Sequence, residues 1–276
     1  MSPLSMMPDP VCQREIPHPA LTPFVSHYEF HEQYHPNDDD FDKKLCFKPE
    51  TSIDFIIGDA LQKNKANAGK LILKTRAFVR TPIACKNCLP EFSGHFSSFS
   101  IKFHPTGLHQ LLGITMDQLG NNSIPVSDIR LFPVEEIIDK MMYAPHIGYC
   151  KNIVEPYLLA LAVAHRPIPG PTERAAREII EVKGLISVSE LASNNCLSIS
   201  QLEKNFNKKV GVSPKAYASM HRLFGLLHDK IQNREDKWSA LAYKYDYFDP
   251  IHFTRDFNKY FNLTPTAFNK LSYLLL

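Results

Sequence analysis

Apolar positions in the C-terminal third of the chain recur in the spacing of short amphipathic helices, and they do so twice. Leu191, Ala192, Leu202 and Phe206 in a first unit are answered by Leu241, Ala242, Phe253 and Phe257 in a second. From Leu202 onward the equivalent positions, among them Lys204 and Arg255, Ser213-Pro214 and Thr264-Pro265, and Tyr217 and Phe268, lie 51 residues apart, whereas the Leu-Ala pairs lie 50 apart. This is an internal repeat with one residue added in a short connection. Each unit reads as a support helix (188–194, 238–244), a tight turn, and a second helix begun by a capping residue, Ser198 in one and Asp249 followed by Pro250 in the other. Between the units, Ser213-Pro214 starts a long helix to about residue 232, with Tyr217, Met220, Leu223, Phe224 and Leu227 at inward spacing. Two short helices around a turn are the shape of a helix-turn-helix, whose second helix enters a DNA major groove.

Upstream the pattern is different. Residues 51–58, 71–73 and 99–103 are β-branched and aromatic runs bounded by turn residues, and predict strands. After His104-Pro105-Thr106-Gly107 the spacing of Leu108, Leu111, Leu112 and Ile114 becomes helical, and 135–143 and 157–164 predict two more helices. Residues 37–42 and 62–70 read as polar loop tips. The prolines and glycine between His165 and Thr172 cannot continue a helix. They divide the chain into residues 1–165, a linker at 166–172 and residues 173–276, with Thr172 capping the next helix. The fold class expected is an α+β N-terminal domain, a small β-rich sensing module ending in helices, followed by an all-α domain with two helix-turn-helix units.

Length and composition allow this, since 276 residues with 44% hydrophobic content suffice for two cores. The net charge of +2 is weak for a nucleic-acid binder, but its distribution is more telling. From Thr172 onward 15 Lys and Arg face 11 Asp and Glu, against 16 and 18 before it. Non-specific DNA affinity should therefore be modest and salt-sensitive. The apolar run 157–164 is far shorter than the about 20 residues of a bilayer span. The N-terminus lacks the basic-then-apolar pattern of a signal peptide. A cytosolic location with no membrane partner is expected, and the scattered cysteines should be reduced thiols.

Helical geometry sorts the two second helices into faces. With Leu202 and Phe206 inward, Ser200, Glu203, Lys204 and Asn207 lie on the other side. With Phe253 and Phe257 inward, Pro250, Ile251, Thr254 and Arg255 point outward. Arg255 could read guanine bidentately, and Ile251 and Thr254 could meet a thymine methyl. Asn207, Lys208, Lys209, Asn258 and Lys259 are placed to hold phosphate.

The run Tyr247-Phe248-Asp249-Pro250-Ile251-His252-Phe253-Thr254-Arg255-Asp256-Phe257, with Leu263-Thr264-Pro265-Thr266-Ala267-Phe268, resembles the signature of the AraC/XylS family of bacterial transcription regulators. The resemblance covers roughly 172–270. Looser matches at Leu21-Thr22-Pro23-Phe24-Val25, Lys48–Phe55 and Ile101–Gly107 resemble the sensing domain of one branch of that family. The resemblance implies that Ser200, Glu203, Lys204, Pro250, Ile251, Thr254 and Arg255 fall on base-reading positions. It also implies promoter activation through contact with RNA polymerase, under an unidentified small-molecule or protein effector. The chain departs from the family at the turn glycine, which is Cys196 in one unit and Asp246 in the other, and at the small residue of the linker helix, which is Leu226. The second head is expected to carry more sequence information.

Other chemistry is thin. Cys85-Lys86-Asn87-Cys88 has the spacing of half a zinc site, with His95 and His104 nearby, but no second half accompanies it, and no metal or cofactor is expected. Glu50 and Asp54 flank a strand without a nucleophile or phosphate loop, so no catalytic residues and no enzyme activity are expected. The apolar faces of 135–143 and 157–164 could serve a homodimer. The rival reading is a constitutive DNA binder whose N-terminal domain is a protein-interaction module without a ligand.

Overall fold

Strand-forming residues alternate between two faces along the first half of the chain, and this alternation builds the N-terminal sheet. The computed structural model describes residues 11–35, 43–46, 49–58, 61–64, 69–72, 75–82, 92–119, 124–129, 132–164, 170–261, 264–268 and 272–275. Its strands are β1 (Val11–Glu15), β2 (Val25–His35), β3 (Lys43–Cys46), β4 (Ser52–Ile56), β5 (Leu61–Asn64), β6 (Gly69–Ile72), β7 (Ala77–Arg80), β8 (Phe92–Phe103), β9 (Ile124–Pro125) and β10 (Ser272–Leu275). The main sheet runs β1-β2-β8-β4-β7-β9, with a β5–β6 hairpin joined to β8, and all its pairings are antiparallel. β10 pairs parallel with β3.

Tyr28, Phe30, Ile53, Phe55, Val79, Phe99 and Ile101 share a core with the helices α1 (Gly107–Leu112), α2 (Val134–Tyr143) and α3 (Ile147–Ala164). Residues one step out of phase, Glu29, His31, Ser52, Arg80, Ser98, Ser100 and Lys102, occupy the opposite face and are buried as well. Charge buried in this way must be paired. Asp54 accepts from Ser52, Ser100 and Arg80 at 2.9, 2.6 and 2.9 Å. Burial opposes its ionisation, but the Arg80 and Lys102 charges with those hydrogen bonds hold its carboxyl below the usual range. Asp54 is therefore committed to an ion pair.

The C-terminal part is helical: α4 (Pro171–Glu181), α5 (Val188–Asn194), α6 (Ile199–Val210), α7 (Pro214–Gln232), α8 (Trp238–Lys244), α9 (Pro250–Phe261) and α10 (Pro265–Phe268). Its own core extends from Ala175 to Phe268. Among the described residues no helix is long and apolar enough to cross a membrane.

Several expectations are corrected. Of the stretch 62–70 expected as a loop tip, 62–64 and 69–70 belong to the β5–β6 hairpin, because two polar segments can still pair backbones. The helix expected at 157–164 begins at Ile147 and runs through Pro156. Buried Val154 and Leu158 straddle the proline on one face, and Glu155 receives the His18 amide and the Tyr28 hydroxyl at 2.8 and 3.2 Å, so packing holds both halves in line. Helix α4 is capped by Gly170 with Pro171 at its first position, which places Thr172 inside the helix. The motif at Cys85 and Cys88 lies outside the described residues, as do 37–42. His104 is a packing element, its Nε2 3.1 Å from the Thr22 carbonyl oxygen.

Candidate nucleic-acid interface

The two heads share their local construction down to single hydrogen bonds. In each turn an apolar residue donates its amide back to the support helix: Leu197 to the Ala192 carbonyl and Tyr247 to the Ala242 carbonyl, both at 2.9 Å. The reversal between them is left-handed, with φ of 54° at Cys196 and 60° at Asp246. At the exit, the Ser213 hydroxyl accepts from the Ala216 amide and the Thr264 hydroxyl from the Ala267 amide, each at 3.2 Å. The turns correspond at an interval of 50 through Tyr247 and at 51 from Asp249 onward. The added residue is therefore Phe248, which is 80% exposed and meets the Tyr243 ring edge-on.

Without a glycine, a left-handed residue costs about 1–2 kcal/mol, though aspartate tolerates the conformation better than cysteine does. Cys196→Gly is thus expected to stabilise the fold by up to about 1 kcal/mol after glycine's entropic penalty. Urea unfolding should show the higher midpoint, with a smaller change for Asp246→Gly; a lower midpoint for Cys196→Gly would mean that the thiol contributes packing.

Capping and aromatic packing orient the second helices. Ser198 and Gln201 form a reciprocal capping box at the start of α6, and the Asp249 carboxylate accepts from the Ile251 amide at 2.8 Å at the start of α9. The Phe206 and Tyr217 rings meet edge-on at 5.5 Å, and their repeat equivalents Phe257 and Phe268 do so at 5.6 Å. Trp238 completes the second cluster against Phe253, Phe257 and Phe268. Leu191, Ala192, Leu202, Leu241 and Ala242 are buried in the same core.

The opposite faces are open. Ser200, Glu203, Lys204 and Lys208 are exposed on α6, while Lys209 is half-buried and Asn207 turns back to donate to the Glu203 carbonyl at 2.9 Å. On α9, Pro250, Ile251, Thr254, Arg255, Asn258 and Lys259 line one open surface depression. Ile251 is 67% exposed, and the Thr254 hydroxyl donates to the Pro250 carbonyl at 2.9 Å, which engages its polar atom within the helix.

The separation of the heads depends on α7 and its junction with α8. Lys230 is buried at the end of α7, where its ammonium donates to the Arg234 carbonyl and, at 2.6 Å, to the Asp236 carbonyl, and lies over the Trp238 ring. Asp229 accepts from Lys244 and from the Tyr245 hydroxyl at 2.7 and 3.0 Å. Gly225 lets Tyr245 approach, since a Cβ there would stand 2.9 Å from the ring. The small residue missing at Leu226 is thereby supplied one position earlier, and Leu226 is fully buried. Phe224, expected inward, is only half-buried and faces the N-terminal half.

Residues 191–271 match a family model described as a helix-turn-helix domain. The C-terminal region is an AraC-type helix-turn-helix domain. The chain is a DNA-binding transcription regulator. Residues 13–125 of the regulator match a domain of unknown function, DUF6597. No curated protein matches the regulator. Among solved structures it is similar to ToxT from Vibrio cholerae, at 10% identity and a TM-score of 0.44 over 88% of this chain and 97% of that one. A ToxT structure bound to an unsaturated fatty acid gives 12% identity and a TM-score of 0.43 over 89% and 95%.

The two halves of the regulator also touch. Helix α6 packs on a short 3-10 turn at Met116–Leu119. The Thr106 hydroxyl donates to buried Glu173, which also receives Arg177 at 2.8 Å. A cavity of 380 Å³ lies between Glu50, Thr51 and His104 on one side and Lys183, Tyr217, His221 and Phe224 on the other. Sequence reading missed this lining, because its members come from segments far apart in the chain.

Burial pulls the His221 imidazole down to about 4. The folded protein then keeps His221 neutral while an unfolded chain protonates its histidine near 6.5, so between 6.5 and about 4 the unfolded state binds more protons. Stability contributed by His221 is present above that window and is lost as pH falls through it. Urea unfolding across this range should show a shallower loss for His221→Leu than for the parent; parallel losses would place the titrating group elsewhere.

Proposed function

We propose that the regulator is a sequence-specific reader of double-stranded promoter DNA that activates transcription under control of its N-terminal domain. Ser200, Glu203 and Lys204 on α6 and Pro250, Ile251, Thr254 and Arg255 on α9 contact bases. Lys208, Lys209, Asn258 and Lys259 hold phosphates, with Asn207 beside them. The observation that carries this reading is the duplicated head: two capped helices with matching aromatic cores turn exposed polar faces outward at the two ends of one long helix. Thr254, with its hydroxyl engaged, offers its methyl group to a thymine, and Ile251 adds a second apolar contact. Arg255 supplies the bidentate fork that suits guanine.

Control through the N-terminal domain works by differential affinity. An effector that favours one arrangement of the halves changes the population able to place both heads on DNA. The packing of α6 on the Met116–Leu119 turn gives such an effector a direct path to the first head. The reading places the protein in the cytosol, with RNA polymerase as the downstream partner. Exposed Met142 and Tyr143 on α2 and Val163 on α3 offer an apolar surface for a homodimer.

Selection of bound duplexes from a random library tests the core of the reading. Two short conserved blocks about one helical turn, or 34–36 Å, apart are expected. A single block would mean that only one head reads bases, and no enrichment by either the full chain or residues 170–276 would remove sequence-specific binding.

A further inference from the structure

The polar face of the N-terminal sheet brings together three different donor types. Cys12 on β1 and His31 on β2 are directly opposed across the antiparallel ladder, and Glu29, two residues earlier on β2, shares their face. Cys12 Sγ lies 3.8 Å from His31 Nε2, and that nitrogen lies 3.5 Å from Glu29 Oε2. All three donor atoms fall within 4.8 Å of one another. Ligand bonds of about 2.0–2.3 Å at tetrahedral angles place donor atoms roughly 3.4–3.6 Å apart. The sheet therefore already holds these donors near the spacing that a small tetrahedral ion requires.

We propose that Cys12, Glu29 and His31 form a binding site for a divalent transition metal of the zinc class, with a fourth position left to water. Thiolate, imidazole and carboxylate together suit zinc and not calcium or magnesium, which take oxygen ligands. Glu29 and His31 are buried and Cys12 is exposed, so the ion enters from the Cys12 side. The carboxylate is oriented from behind: Glu29 Oε1 receives Arg14 Nε at 2.8 Å and pairs with His27 Nε2 at 3.1 Å, which turns Oε2 toward the other two donors.

Lys102 is the competitor, its ammonium 3.3 Å from Glu29 Oε2. Displacing this ammonium from the carboxylate costs affinity. The Cys12 S–H bond breaks, its proton leaves to solvent, and the thiolate with the Glu29 carboxylate neutralises the dication. The proposal does not depend on DNA binding.

Cobalt(II) alone is the probe, titrated into the reduced full-length protein carrying Cys85→Ser and Cys88→Ser so that no thiolate signal comes from that pair. A thiolate-to-cobalt charge-transfer band saturating at one equivalent, with the intense visible bands of tetrahedral cobalt and bleaching by zinc, is expected. The band should vanish on adding Cys12→Ser, an exposed substitution that leaves the fold intact, and survive Cys150→Ser and Cys196→Ser. His31→Gln should weaken cobalt binding by about tenfold or more. Absence of the band, or a band that persists in Cys12→Ser, overturns the site.

Discussion

Phe257→Ala is expected to destabilise the C-terminal half by about 3–5 kcal/mol, the usual cost of emptying a buried phenylalanine site. Its side chain is fully buried, and its ring touches those of Trp238, Phe253, Phe261 and Phe268. Truncation removes one ring from all four contacts. The neighbours cannot close the gap without moving α9, because Trp238 is held by α8 and Phe268 by the turn capped at Thr264. A loss of this size is a large share of the roughly 5–15 kcal/mol that holds a typical domain. Urea unfolding of the full chain should show a lower midpoint for the helical part. Phe206→Ala, at the equivalent place in the first head, should behave alike. A cost below about 1 kcal/mol would mean that the aromatic cluster does not position α9.

Arg255→Ala is expected to weaken binding to the selected operator by about 1–3 kcal/mol and to relax preference at one base position. The guanidinium lies on the exposed face of α9, in the depression it shares with Ile251, Thr254 and Lys259. The distinguishing result is the pattern across sequences. A base reader loses discrimination at one position, whereas a phosphate contact loses affinity uniformly and lowers the salt dependence by about one counterion. Binding measured on the operator and on a duplex altered at the candidate guanine separates the two, and equal losses on both would reassign Arg255 to the backbone. Lys259→Ala provides the phosphate-type comparison.

The helical half was legible from residue order because its signals are local. Caps, periodicity and the Ser/Thr-Pro pairs act within one or two turns, and the repeat states them twice; hence α5, α7 and α8 begin and end where the pattern places them. Even the departures from family pattern could be followed, since Cys196 and Asp246 adopt the left-handed turn that glycine would have taken. In the N-terminal half the same reading found parts of β4, β6 and β8 but not the order in which strands pair. Nor did it find the continuation of α3 through Pro156, which packing on both sides sustains against local preference.

Residue order thus set the phase of the helices in the two heads, the duplication of the heads and the faces they expose, because these follow from contacts between near neighbours. The three-dimensional fold chose what meets across distance: Cys12 with His31, Thr106 with Glu173, Tyr245 with Gly225, and α6 with the N-terminal half. Each pairing joins segments whose local sequences carry no mark of the other. Strand register and close packing bring them together, and these reflect the free energy of the whole core and not of any single segment.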